Sequence, residues 1–176
     1  MNFTKFIIFL VTLAIFSNGS AIAFPPPPAS ATCRITCRVA ETVEWSQASF
    51  EDIDLGELNS KHKQTQGQSS LILYTNGDVE ITADNSENAE LSNGAYKLQT
   101  QYKLDFDAIG GSQTGAMPTE WCTYDTFLKE AAQIIHSKTD GNVVIILSVK
   151  ADIDQIRKDS GGEYYAMQTL TVCWKS

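Results

Sequence analysis

Apolar residues alternate with polar ones over short segments of this chain, and glycine-containing turns separate the segments. Residues 96–106 and 170–174 alternate in this way, whereas residues 142–153 form a nearly continuous apolar run. A period of two is typical of a strand with one buried face, and a continuous run is typical of a central strand. Turn dipeptides lie at Asn76-Gly77, Asn93-Gly94 and Asp140-Gly141. At least six strands with this turn spacing predict an all-β protein, a sandwich of two antiparallel sheets.

The Asn76-Gly77 dipeptide separates two segments with strand character, SSLILYT and DVEITA. Asn-Gly is the strongest short-range signal for a two-residue hairpin turn, because both residues tolerate a positive φ. Pairing across such a turn puts Tyr74 opposite Val79. It also puts Ile72 opposite Ile81, so we expect these four side chains to share one face.

Residues 125–137, DTFLKEAAQIIHS, fit two kinds of local structure. The apolar residues with helical spacing are Phe127, Leu128, Ala131, Ile134 and Ile135. Glu130 and the two alanines after it favour a helix, so we expect one short helix that crosses one end of the sandwich. The alternative is a strand over residues 131–137 that pairs across Asp140-Gly141 with the next strand. Periodicity alone does not decide between the two.

The stretch Cys33–Trp45 reads CRITCRVAETVEW and alternates over most of its length. Its even positions include Arg34, Thr36 and Arg38, which are polar. Its odd positions include Cys33, Ile35, Cys37, Val39, Val43 and Trp45. The pattern predicts a first strand that is integral to the fold and whose apolar, odd-numbered side chains are buried.

The chain contains four cysteines, Cys33, Cys37, Cys122 and Cys173. In an extended strand the Cα atoms of Cys33 and Cys37 are about 13 Å apart, whereas a disulfide needs roughly 4.4–6.8 Å. Two connectivities then stay open: Cys33 with Cys122 and Cys37 with Cys173, or Cys33 with Cys173 and Cys37 with Cys122. A four-cysteine zinc site is disfavoured, because its close pairs usually sit on tight turns. We therefore expect two disulfides that tie the first strand to the last strand and to residue 122.

The first 23 residues have the composition of a secretory signal peptide. Lys5 is their only charged residue, residues 6–16 are apolar, and Ala21 and Ala23 fit a small-residue cleavage site. The apolar run of about eleven residues is shorter than the roughly 20 that span a bilayer. We expect export, without membrane insertion of the mature chain.

Composition divides the rest of the chain into a tether and a domain. Residues 24–32, FPPPPASAT, contain four of the five prolines, which predicts a polyproline-type tether. Residues 33–176 have the length of one ordinary domain, so we expect a single β-sandwich. The net charge of −8 repels nucleic acid, which excludes nucleic acid as an expected partner.

Recognisable catalytic motifs are missing from the sequence. His62 lies in a polar stretch and His136 lies at the end of the ambiguous segment, and neither belongs to a nucleophile or metal motif. We therefore expect no catalytic, metal-binding or cofactor-binding residues and no enzymatic activity. Candidates for a sugar-stacking platform are the aromatic residues Trp121, Tyr124, Tyr164 and Tyr165.

The order of these features resembles the bacterial secreted Ig-like subunits related to fimbrial pilins and to spore coat protein U. The features are the alternating first strand, FEDIDLGEL soon after it, a middle strand in NGAYKLQTQYKL, an apolar strand after an Asp-Gly turn, and a terminal SGGEYYAMQTLTV. The closing pattern holds Gly162, Tyr164, Leu170, Thr171 and Val172. The resemblance implies an Ig-like sandwich that serves as a structural subunit of a pilus, coat or biofilm fibre. It also implies passage through the periplasm to a cell-surface or extracellular location, and assembly with copies of itself or related subunits by a periplasmic chaperone and an outer-membrane usher.

One departure from that group concerns the N-terminus. Pilins of the group donate an alternating N-terminal strand to the next subunit, but the segment before Cys33 is proline-rich and lacks a ladder of N–H donors. Any donated strand must therefore lie within Cys33–Trp45, where disulfides would oppose its release. The expected function is a non-catalytic structural subunit. The alternative is a monomeric exported module that binds polysaccharide or a surface protein.

Overall fold

The computed structural model describes residues 28–108, 116–135, 142–153 and 161–175. The predicted signal peptide, His136 and the Asp140-Gly141 turn lie outside these residues. Within them, eight strands form two antiparallel sheets, and one 3₁₀ turn at Glu87–Ala89 is the only helical element. The predicted all-β fold is confirmed.

The strands are β1 Val43–Trp45, β2 Gln64–Thr75, β3 Val79–Ala83, β4 Gln99–Ala108, β5 Cys122–Thr123, β6 Ala132–Ile134, β7 Asn142–Asp152 and β8 Leu170–Trp174. The first sheet has the order β1-β2-β7-β4-β5, and the second has the order β6-β3-β8. All of these strands belong to the unit that comprises residues 39–176, and residues 1–38 form a unit of their own.

The two sheets bury their facing sides in one hydrophobic core. Fully buried members of this core are Leu73, Leu104 and Ile145 from the first sheet and Val79, Ile81 and Ile134 from the second. Removal of apolar surface from water is the main favourable term in folding. The packing of both sheets into a single cluster therefore gives the sandwich that the alternating pattern predicts.

β7 is the central strand of the first sheet, as its nearly continuous apolar sequence predicts. It pairs with β2 on one side and with β4 on the other. Val143 and Ile145 face the core, while Val144 and Ile146 are half-buried on the opposite side. Strands that are covered on both faces need apolar residues at successive positions, which explains the continuous run.

The predicted hairpin between β2 and β3 is wrong, because the two strands belong to different sheets. A type I′ hairpin turn needs a positive φ at its glycine, and Gly77 does not have one. The chain instead crosses between the sheets at this point. The Trp174 ring packs against Gly77 so closely that a Cβ there would lie 2.1 Å from a ring carbon. As a result, Tyr74 is exposed while Val79 is fully buried.

The helix predicted for residues 125–137 does not form in the described part of that range. A series of turns follows β5, and the Asn85 side chain caps it by donating from Nδ2 to the carbonyl oxygens of Tyr124 and Phe127, both at 2.9 Å. Leu128 then adopts a left-handed φ of 50°, which does not continue a right-handed helix. β6 follows and pairs with β3. The strand alternative therefore holds, but with a different partner from the next strand along the chain.

The first strand, predicted to start at Cys33, starts only at Val43. β2 ends at Thr75, the partner of Val43, and beyond that pair one backbone bond runs from Asn76 N to Thr42 O at 3.2 Å. Farther out the Asn76 side chain replaces the backbone as the partner, since its Nδ2 donates to the Ala40 carbonyl oxygen at 2.6 Å. Strand length is thus limited by the partner strand and not by the alternating sequence.

Two of the four apolar residues predicted to be buried on that strand are exposed. Val43 and Trp45 do pack against the core. Ile35 is 89% exposed and Val39 is 82% exposed. The alternating pattern therefore continues for several residues outside the sheet.

Tyr102 on β4 places a hydroxyl group inside the core. Its side chain is 3% exposed, and its Oη donates a hydrogen bond to the Ala89 carbonyl oxygen at 2.7 Å. Burial raises the pKa of Tyr102 to about 12, because the charged phenolate is disfavoured away from water.

We expect the protein to lose stability as the pH rises from about 10 to about 12. The folded-state pKa of Tyr102 lies above the unfolded value of about 10. The stabilisation that the neutral phenol provides is therefore complete below pH ~10 and is lost as the pH rises through the folded pKa. The free energy of unfolding should fall by about 2 kcal/mol at pH ~12 from this group. Urea unfolding across this range should show a smaller pH dependence for Tyr102→Phe, and an unchanged dependence would contradict the assignment.

Candidate assembly site at the edge of the second sheet

β8 is an edge strand of the second sheet, since β3 pairs with one side and no described strand pairs with the other. Lys175 N donates to Asp78 O at 2.9 Å, and Asp84 N donates to Thr169 O at 2.9 Å. Hydrogen-bonded and non-hydrogen-bonded residue pairs alternate along an antiparallel ladder. These two bonds therefore fix which residues of β8 bond to β3.

The open side of β8 carries the backbone N–H and C=O groups of Leu170, Val172 and Trp174. Thr171 and Cys173 bond to β3 instead, because they alternate with the open set in the register. A row of unpaired backbone groups on an edge strand is a ready template for another strand. The second sheet, which has three strands, thus has room for a fourth one beside β8.

A shallow depression lies at the C-terminal end of β8. Trp174, whose side chain is 38% exposed, forms part of it. Its lining residues are Val39, Ala40, Glu41, Asn76, Trp174 and Lys175. Lys175 Nζ is held by a hydrogen bond to Gln133 Oε1 at 2.5 Å. The open edge therefore ends in a partly apolar surface.

Residues 33–41, called the arm below, form neither strand nor helix. The arm alternates in the same way as a strand, and its apolar residues Ile35 and Val39 are almost fully exposed. Arg34 and Arg38 lie on the intervening positions and are positive, in a chain whose net charge is −8. The arm thus has the sequence of a strand without a place in either sheet.

All four cysteines are free thiols in the structure, so the predicted disulfides are not seen. Cys33 and Cys37 are exposed within the arm. Cys173 is exposed on β8, where its neighbour Val172 faces the core and Cys173 faces outward. Cys122 on β5 is half-buried against the core.

The strand register separates Cys122 widely from Cys173. One row across the first sheet contains Cys122, Tyr102, Val149 and Gly67. Cys173 lies near the opposite end of β2, since the adjacent Trp174 packs against Gly77. Three strand spacings give about 14 Å across the sheet, and the remaining length of β2 gives about 27 Å along it. The two cysteines are therefore about 30 Å apart.

This separation excludes only a direct disulfide between Cys122 and Cys173. Such a bond needs their Cα atoms within roughly 4.4–6.8 Å of each other.

The aromatic candidates occupy different environments. The Trp121 ring lies 4.8 Å from the Lys150 ammonium, a cation–π contact. Tyr124 packs against the core and Tyr164 is half-buried. Tyr165 is 68% exposed and donates its hydroxyl hydrogen bond to Glu163, which raises the pKa of Tyr165. Tyr165 is thus the most accessible of the four.

Titratable side chains do not gather into a metal site within the described ranges, where no cluster of three or more His, Cys, Asp or Glu residues occurs. His62 is exposed, and its backbone N–H donates to Asn59 Oδ1 at 3.1 Å. Lys97 forms ion pairs with two glutamates: its Nζ lies 2.7 Å from Glu90 Oε2 and 3.3 Å from Glu87 Oε2. These ion pairs link two parts of the connection between β3 and β4.

Asn76 is the residue of this site that the sequence did not reveal. The sequence marks it only as a turn residue, because its bonding to Ala40 depends on where β2 ends.

No helix among residues 28–108, 116–135, 142–153 and 161–175 is long and apolar enough to cross a membrane. In comparisons with known proteins, no protein family, curated protein or solved structure matches this chain.

Proposed function

We propose that this chain is an exported, non-catalytic structural subunit of a cell-surface assembly such as a pilus, a coat or a biofilm fibre. Copies of the chain, or related subunits, join when the arm of one subunit pairs with the β8 edge of the next. The observation that carries this proposal is an alternating apolar arm outside both sheets, in a chain whose second sheet has an open edge. The predicted signal peptide supports export.

The energetics of the arm favour docking onto a neighbour. Burying Ile35 and Val39 would each gain about 1.5–3 kcal/mol relative to exposure. Each backbone hydrogen bond to the β8 edge would add about 0.5–1.5 kcal/mol. The chain's own β2 does not provide these gains to the arm, since it ends at Thr75. An edge on another subunit does provide them.

The proline-rich tether does not oppose this route. The consecutive prolines occupy residues 25–28, and the arm that follows them contains no proline, so each of its residues carries an N–H donor. The disulfides that would have held the arm in place are not seen. An exposed arm and an open edge would aggregate in transit. A periplasmic chaperone that covers them, and an outer-membrane usher that orders their pairing, are therefore part of the proposal.

We expect the double variant Ile35→Asp/Val39→Asp to abolish multimers without lowering the melting temperature of the monomer. Both side chains are exposed in the monomer, so aspartate costs little there. In a docked arm the same aspartates would be buried without a partner, which is strongly unfavourable. Light scattering of residues 24–176 measures the multimer mass, and thermal unfolding measures stability.

Val43→Asp is the matched control, because Val43 lies on the same alternating face but packs against the core. This variant should unfold the monomer or strongly destabilise it. Multimers of wild-type size in the Ile35/Val39 double variant would show that the arm is not the donated segment. A wild-type protein that stays monomeric at all concentrations would reject assembly altogether.

A monomeric module that binds polysaccharide or a surface protein is the second candidate, and the exposure of Tyr165 favours it. Aromatic side chains stack on the apolar faces of sugars. Glycan binding by a monomer that is lost in Tyr165→Ala would support this candidate. Fibres seen by electron microscopy of the purified protein and of the native cell surface would support the structural subunit.

A further inference from the structure

We infer that Cys33 and Cys37 form a local disulfide that holds the arm in an undocked state. The inference rests on the proposed function, because the arm is the segment that docks. Cys33 and Cys37 are exposed thiols, four residues apart, in a segment that forms neither strand nor helix. The oxidation state of this pair then decides whether the arm can act as a strand.

The undocked arm allows the two thiols to meet. A paired strand would hold their Cα atoms about 13 Å apart, but the arm has no partner strand among the described residues that would fix this separation. The arm contains no turn in the structure, so bridging requires one to form. Residues four apart in a helical turn have Cβ atoms about 5–6 Å apart, and a further closure to about 3.5–4.5 Å completes the disulfide. Cys33 and Cys37 also close the shortest loop of any cysteine pair in the chain, and short loops cost the least entropy to close.

The remaining two thiols do not provide a competing pair. Cys122 and Cys173 are about 30 Å apart by the strand register, far beyond the length of a disulfide. Cys122 is also half-buried against the core, which limits its access to an oxidant. Oxidation of the monomer should therefore give one local bridge and leave Cys122 and Cys173 as thiols.

The chemistry is thiol–disulfide exchange with a small-molecule disulfide such as glutathione disulfide. The Sγ atoms of Cys33 and Cys37 become joined, and the pair loses two electrons and two protons. The glutathione disulfide bond breaks, accepts these electrons and protons, and yields two glutathione thiols. The exchange passes through a mixed disulfide, which the exposure of both thiols permits.

The bridged arm and the docked arm exclude each other. Docking requires an extended arm, and extension separates the two Cα atoms by about 13 Å, roughly twice the length that a disulfide allows. Cys33 and Cys37 share the alternating face of Ile35 and Val39. On docking they would turn inward as small apolar side chains, whereas the partner's Cys173 faces outward on β8. A disulfide between the arm and Cys173 of the neighbouring subunit would therefore not replace the Cys33–Cys37 disulfide.

The test compares residues 24–176 in glutathione disulfide with the same protein in reduced glutathione, by two independent measurements. Trypsin cleaves after Arg34 and after Arg38, so a Cys33–Cys37 bridge links peptide 24–34 to peptide 35–38. Mass spectrometry of the unreduced digest detects that link, and light scattering reports multimers. The oxidised protein should carry the link and lose its multimers, and the reduced protein should lack the link and assemble.

Two double variants serve as controls. Cys33→Ser/Cys37→Ser should assemble in both buffers, and Cys122→Ser/Cys173→Ser should respond to oxidation as the wild type does. A bridge to Cys122 or Cys173 would overturn the inference, and so would a Cys33–Cys37-bridged protein that still assembles. If the reduced wild type and Cys33→Ser/Cys37→Ser are both monomeric, the proposed assembly fails. The peptide link still decides in that case whether the local bridge exists.

Discussion

Phe127→Ala should lower the free energy of unfolding by about 3–5 kcal/mol. Phe127 is fully buried, and its ring packs against Tyr102 with the ring centroids 5.4 Å apart. Truncation would leave a cavity between the two sheets. Strands on both sides hold that space open, so the site has little freedom to collapse. Urea-induced unfolding, followed by tryptophan fluorescence, measures the loss.

Glu130→Ala is the matched control, since Glu130 lies in the same connection between β5 and β6 but is exposed. This substitution should change the free energy of unfolding by no more than about 0.5 kcal/mol. A loss below about 1 kcal/mol for Phe127→Ala would contradict the packing of this connection against the core.

Phe127 also illustrates how far local sequence patterns reach. Its spacing with Leu128 and Ile134 is helical, and all three side chains are buried. The same spacing predicted a helix, which does not form. The deciding interaction comes from Asn85, which caps the turns from about 40 residues away in the sequence. A contact at that separation leaves no local signal.

The strands themselves were predictable where one face or both faces are buried. β4, β7 and β8 follow the period-two pattern or the continuous apolar run, because burial of a face is a local property of each strand. The choice of partner strand is not local. The Asn76-Gly77 dipeptide suggested a hairpin, but the packing of Trp174 against Gly77 accompanies a crossing between sheets.

The candidate site was predictable only in part, because it too depends on which strands pair. The alternation of Cys33–Trp45 correctly placed Val43 and Trp45 against the core. It did not reveal that β2 ends at Thr75, so that Ile35 and Val39 have no strand to pair with. A strand pattern without a partner in its own sheet is the feature on which the proposed assembly rests. This feature becomes visible only from the strand register of the structure.

Val172→Pro should abolish multimers while the monomer stays folded. The Val172 N–H points to the open side of β8, so proline breaks no bond to β3. It does remove a donor that an incoming arm needs, and proline is tolerated on such an edge for the same reason. Val172→Ala is the matched control, because it also reduces packing against the core but keeps the N–H. The alanine variant should lose similar stability and still assemble.

Thr171→Pro tests the assignment of the two sides of β8. The Thr171 N–H bonds to β3 in the ladder and its side chain is exposed, so this substitution removes a ladder bond with little loss of packing. It should lower the free energy of unfolding by about 1–3 kcal/mol, measured by urea unfolding beside light scattering for assembly. A larger loss of stability for Val172→Pro than for both Val172→Ala and Thr171→Pro would reverse the assigned sides. Normal multimers in Val172→Pro would instead place the arm on another edge, such as the open side of β6.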